Sequence, residues 1–105
     1  MIQIFSAEDN RIEELERIIP GSWVALTDPN QDELDRVAAV TKIDQDALKA
    51  ALDEEERSRI ETEDEYTMVL VDIPIIEERN DKQWYGTIPL SIIITKDIIV
   101  TICLK

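Results

Sequence analysis

Residues 66–76, 84–95 and 98–104 are three apolar runs rich in Ile and Val, separated only by the polar stretch 77–83 and by Lys96-Asp97. β-branched side chains suit a pleated surface, and connections this short join antiparallel neighbours. The runs therefore predict a β-meander, with Asn80-Asp81 at the tip of its first hairpin. Met68-Val69-Leu70-Val71 and Ile92-Ile93-Ile94 are continuous rather than alternating. Continuity of this kind predicts strands buried on both faces and central in their sheet. Such a sheet needs cover on two sides, and that demand constrains the rest of the chain.

The preceding residues supply cover for one side. Residues 1–5 predict a first strand at or near a sheet edge. Residues 12–19 fit a short strand or an irregular segment that ends at the turn Pro20-Gly21. Residues 23–27 predict another strand, closed by Asp28-Pro29. Asn30 with Glu33 three residues later is a capping box, which opens a helix over 31–41 with Leu34, Val37, Ala38 and Thr41 on one face. Asp44 caps a second helix over 45–53, striped by Ala47, Leu48, Ala51 and Leu52. Residues 57–63 return to strand-like alternation. The fold class expected is α/β: a mixed sheet with two short helices after the early strands and then a meander, all in one domain over residues 1–105. Two short helices cover one face only. The other face must pack on another chain, or more protein must follow Lys105; for these residues alone it predicts self-association through exposed β surface.

Composition narrows the function. With 24 acidic and 11 basic residues, a formal net charge of −13, the chain is repelled by nucleic-acid phosphates and by anionic membrane leaflets. Divalent cations and basic proteins are the partners that this charge admits. There is no histidine, which removes imidazole acid–base catalysis and the commonest transition-metal ligand. The lone Cys103 forms no disulfide within one chain and lies in an apolar run, as a small hydrophobe does. Gly21 and Gly86 are the only glycines, so phosphate-cradling loops are excluded. A carboxylate pair of the glycosidase kind is compatible with the composition, but five aromatic residues are few for a sugar platform, and no enzyme activity is expected. A spanning helix needs about 20 apolar residues; the longest apolar stretch, 88–104, is broken by Pro89, Lys96 and Asp97.

One run could gather oxygen-loving cations: Asp53-Glu54-Glu55-Glu56, followed by Glu61, Glu63, Asp64 and Glu65. It lacks the glycine of a calcium-loop turn, and a solvated acidic loop is the simpler reading of it. Asp72, inside an apolar run, reads as a strand-end carboxylate held by backbone donors. Trp23 and Trp84 read as core or interface packing residues rather than ligand stacks.

The order of these features resembles the N-terminal cytoplasmic domain of the CorA family of magnesium and cobalt transporters. The resemblance is carried by Gly21-Ser22-Trp23-Val24-Ala25-Leu26 before Pro29, by the capped helix, by Ile43-Asp44, and by the stretch from Ala51-Leu52 through Asp53-Glu54-Glu55-Glu56-Arg57-Ser58-Arg59-Ile60-Glu61. Tyr66, Ile73-Pro74, Ile88-Pro89-Leu90-Ser91-Ile92-Ile93 and Thr95-Lys96-Asp97 extend it over the whole chain. It implies an α/β/α domain whose second sheet face is covered by later helices, on the cytoplasmic side of the membrane, in a homo-oligomer. The pore signature and stalk of the family lie outside these residues, so no transport is expected of this piece itself. The resemblance also implies a regulatory cation site between subunits, with an acidic residue on the second helix. That position is Ala50 here, preceded by Lys49, so Asp46 and Asp53 are the available substitutes. The candidate metal-binding set is therefore Asp46, Asp53, Glu54, Glu55 and Glu56, binding magnesium weakly, with no cofactor required for folding. A free-standing acidic module that binds a basic protein is the alternative reading.

Overall fold

The structure, a computed structural model, describes residues 1–8 and 10–105. Strands β1 (Ile2–Glu8), β2 (Arg11–Leu15) and β3 (Ser22–Thr27) come first, and helices α1 (Gln31–Thr41) and α2 (Gln45–Lys49) follow. A 3-10 turn, Ala50–Leu52, extends α2 and leads to β4 (Arg59–Thr62), β5 (Tyr66–Arg79), β6 (Lys82–Thr95) and β7 (Ile99–Cys103). All seven strands form one sheet in the order β2-β1-β3-β7-β6-β5-β4. Only β3 and β7 are parallel, so the sheet is mixed, as expected for this fold class.

Local chemistry sets the helix boundaries. Asn30 Oδ1 accepts from the Glu33 N–H at 2.8 Å, and Glu33 Oε1 accepts from the Asn30 N–H at 3.0 Å, so the capping box is complete. α1 ends where Lys42 enters the left-handed region at φ 62, its N–H donating to the Ala38 carbonyl at 3.0 Å. The buried stripe Leu34, Val37, Leu48, Ala50 and Ala51 packs on Ile4, Val24, Leu26, Met68, Leu70, Ile93, Val100 and Ile102, one face of the sheet.

The opposite face carries no helix among the described residues. Strand register builds two cross-strand rows there: Phe5, Trp23, Ile99, Ile94 and Thr67, and beside them Ala25, Thr101, Ile92, Val69 and Ile60. Trp23, Ile94 and Ile99 are 43–45% exposed. One-sided cover is what the two short helices predict.

Three expectations are corrected. The middle strand is β7, although β5 and β6 have the more continuous apolar runs. After the helices the chain re-enters at the far edge as β4, and the antiparallel meander walks back until β7 lies parallel beside β3, a placement that hydrophobicity does not encode. The polar stretch 77–83 is no loop: β5 and β6 stay paired to Arg79–Lys82, and only Asn80-Asp81 turns, both with positive φ as a two-residue hairpin requires. Beyond the ends of β4 and β7 this hairpin continues as a two-stranded arm, residues 71–79 against 82–89. Its length is about 30 Å at the usual rise per strand residue. Asp72 lies on the arm opposite Pro89, exposed and mid-strand, and not at a strand end. Trp84, at 55% exposure near the tip, lies outside the core, so of the two packing roles expected of it only an interface is left.

Candidate functional site

The carboxylates converge most where α2 meets the β4 edge. Asp44 is the N-cap of α2, its carboxylate accepting from the Asp46 N–H at 3.4 Å, which places both acids on the first turn. Arg59, Glu61 and Glu63 follow at a spacing of two along β4 and its continuation, so they project to one side. Asp44, Asp46, Glu56, Arg59, Glu61 and Glu63 line one cleft of about 260 Å³, whose apolar walls are Ala47, Ala50, Met68 and the Tyr66 ring.

A cation already sits among these acids. The Arg59 guanidinium donates to Glu56 Oε2 at 2.6 Å, to Glu61 Oε1 at 2.7 Å and to the Arg57 carbonyl at 3.1 Å. Glu61 and then Glu56 push the Arg59 pKa up. Because these side chains are about a third to a half exposed, water screens the pairs and their contribution to stability is small. Burial raises the Tyr66 phenol pKa, and the nearby Asp44 and Glu63 charges raise it further. Asp44, Asp46 and Glu63 make no ion pair among the described residues. The cleft thus holds more negative than positive charge.

The sequence-predicted metal residues divide between places. Asp46 and Glu56 reach the cleft. Asp53 closes the 3-10 turn outside it, its carboxylate accepting from the Glu55 N–H at 3.0 Å. Glu54 faces a different hollow at the base of the arm, with Glu77 and Lys105. Glu55 is exposed. Among the described residues no three carboxylates are disposed to hold one ion, so the acids make a charged surface rather than a preformed cage. Ala50, where the family resemblance puts an acid, lines the same cleft and is 6% exposed. Sequence reasoning missed Arg59; the alternation Arg59-Ile60-Glu61 was the signal, since residues two apart on a strand share a face.

No helix of the described residues is long and apolar enough to cross a membrane. The sequence pattern of the CorA-like Mg2+ transporter protein family matches residues 21–105. None of the curated proteins matches the chain in sequence. Among solved structures, the soluble domain of CorA from Methanocaldococcus jannaschii superposes with a TM-score of 0.80 at 23% identity, over 100% of this chain and 41% of that one. The complete CorA magnesium transporter from the same organism superposes with a TM-score of 0.78 at 21% identity, over 100% of this chain and 32% of that one. At these identities the superpositions establish a shared fold, and this chain spans well under half of either relative. The family is one of transporters and not of enzymes. Since its pattern spans five of the seven described strands and both helices, from Gly21 to the last residue, the chain belongs to the CorA-like magnesium-transporter family.

Proposed function

We propose that this chain is the cytoplasmic-side domain of a homo-oligomeric CorA-like transporter of magnesium and cobalt, and that it senses divalent cations weakly through its acidic surface. The observation that carries the reading is the whole-length fold match to the soluble domain of a CorA protein, in a chain whose family pattern covers residues 21–105. The acidic cleft supports the sensing role. Divalent cations neutralise two charges each, so they reduce repulsion between neighbouring copies that each carry −13. Loss of the cations restores the repulsion and lets the copies separate, which couples cation level to quaternary arrangement.

The expected binding is weak. Magnesium gives up its water reluctantly, and Asp46, Asp53, Glu54, Glu55 and Glu56 are not arranged as a cage. Arg59 further weakens it by occupying Glu56 and Glu61. Magnesium titrated against sodium at matched ionic strength, followed by amide shifts, tests the reading. Shifts concentrated at Asp46 and Glu56 are expected, with affinity several-fold higher in Arg59→Gln. Equal responses to both salts over the whole acidic surface would mean screening alone and would remove the sensing role.

A further inference from the structure

We infer that Pro74 and Pro89 guard the edges of the projecting arm: each removes a backbone donor beyond the end of an outer strand, so that neither open edge takes up a further strand. The ladder of β5 and β6 runs without a break from Tyr66–Thr95 to Arg79–Lys82, through the pairs Pro74–Thr87 and Asp72–Pro89. Proline has no N–H to give. An unbroken antiparallel ladder therefore accommodates it only where the paired residues exchange no hydrogen bonds and the ring nitrogen points outward. The two proline pairs lie two residues apart, and pairs two apart are of the same kind, so one assignment satisfies both. The even-numbered residues 72–78 of β5 and the odd-numbered residues 83–89 of β6 thus turn their backbone groups away from the hairpin.

The same alternation explains where the outer strands stop. On β6 the outward residues Ile93 and Ser91 stand opposite Val100 and Ile102 of β7, and the next outward residue is Pro89. Pairing with β7 ends at Leu90–Cys103, one residue before it. On β5 the outward residues Met68 and Leu70 stand opposite Glu61 and Arg59 of β4. Beyond them lies Asp72, and Pro74 then deletes the second free donor. Without the prolines these edges would be inviting. Ile76, Trp84 and Tyr85 are strand formers and are 55–76% exposed. Long apolar edges recruit strands from other chains, and charge or proline on the edge prevents it. Charge protects the tip, where Glu78, Arg79, Asp81 and Lys82 stand. Nearer the body, in residues 71–76 and 84–89, Asp72 is the only charged residue, so the protection there falls to the prolines.

The inference does not rest on the transporter reading, since it concerns backbone donors alone. Pro74 is exposed, so Pro74→Thr restores an N–H on the β5 edge without disturbing a core side chain. The test is amide exchange of the 105-residue chain at Asp72 and Glu78, over about 1–200 µM, with native circular dichroism confirmed. In the natural chain these two rates should not depend on concentration. In Pro74→Thr they should slow by about tenfold toward the highest concentration as a second chain pairs with the edge. Pro74→Thr/Ile76→Pro moves the missing donor one outward position along the same edge and should restore the natural behaviour. Pro74→Thr/Ile76→Thr removes the same apolar side chain but keeps the N–H, and should remain protected. Association through any other surface leaves both amides unchanged. Fast, concentration-independent exchange in Pro74→Thr overturns the inference. So does concentration-dependent protection already present in the natural chain, and so does an equal response of the two double variants.

Discussion

Ser91 is fully buried on the core face of β6, between Leu70 on β5 and Ile102 on β7, and its Oγ has no hydrogen-bond partner among the described residues. A hydroxyl in that position has given up its water and received nothing in return, which costs about 1–3 kcal/mol. Ser91→Ala removes the hydroxyl. The void left is that of one oxygen, roughly 10 Å³, which costs about 0.3 kcal/mol at the rate measured for buried cavities. Alanine is also a slightly poorer strand residue, by a few tenths of a kcal/mol. The balance favours the variant by about 1 kcal/mol, or about 4–8 °C in Tm for a domain near 100 residues. Urea unfolding followed by circular dichroism, with thermal scans alongside, measures both. The urea midpoint should rise while the slope stays constant, since the surface exposed on unfolding is unchanged. A lower midpoint or an unchanged Tm would refute the reasoning, because it would mean that the hydroxyl has a partner worth keeping.

Three further outcomes are expected. Glu33 has its pKa held down, chiefly by the Asn30 N–H and also by the N-terminal ammonium, against a smaller opposing effect of burial. A depressed carboxylate pKa contributes stability that is present above the unfolded value and lost as pH falls through the folded one. Glu33→Gln should therefore cost about 0.5–1 kcal/mol near neutrality, a difference that shrinks as pH falls below about 4.5 in acid-unfolding curves. Lys42 holds an αL backbone that a side chain disfavours, so Lys42→Gly should raise stability by about 1 kcal/mol in the same urea assay; a loss would show that its side chain contributes more than the backbone strain. In the arm, residues 71–79 and 82–89, each strand is paired on one side only, and isolated hairpins are marginal. Its amides should exchange faster than those of β7, and Asp81→Gly, which suits the two-residue turn, should slow them; equal protection of arm and β7 would contradict this.

Period and local chemistry were enough to read most of the elements. Asn30 and Glu33 marked the start of α1 because a capping box is a contact over three residues. The Ile- and Val-rich runs marked β5, β6 and β7, and the shortage of helix marked one face as open, because both are sums over composition. The acids Asp46 and Glu56 were legible as charge. What the chain could not reveal locally was placement. β7 became the middle strand because the helical excursion carries the chain to the far edge at β4 and the meander walks back to β3, ending in a contact between Val24 and Val100 that no nearby residues specify. The polar residues 77–83 stayed paired because a two-strand ladder satisfies their backbone groups whether or not their side chains are buried. The five acids were separated for the same reason: Asp53 and Glu54 lie next to Glu56 in sequence, but the 3-10 turn and the β4 edge point them apart, and Arg59 takes the place among them that an ion would need. Sequence sets which side chains are charged or apolar, since that is a property of each residue; only the tertiary fold decides which of them share a surface, since that depends on strand order and chain reversal.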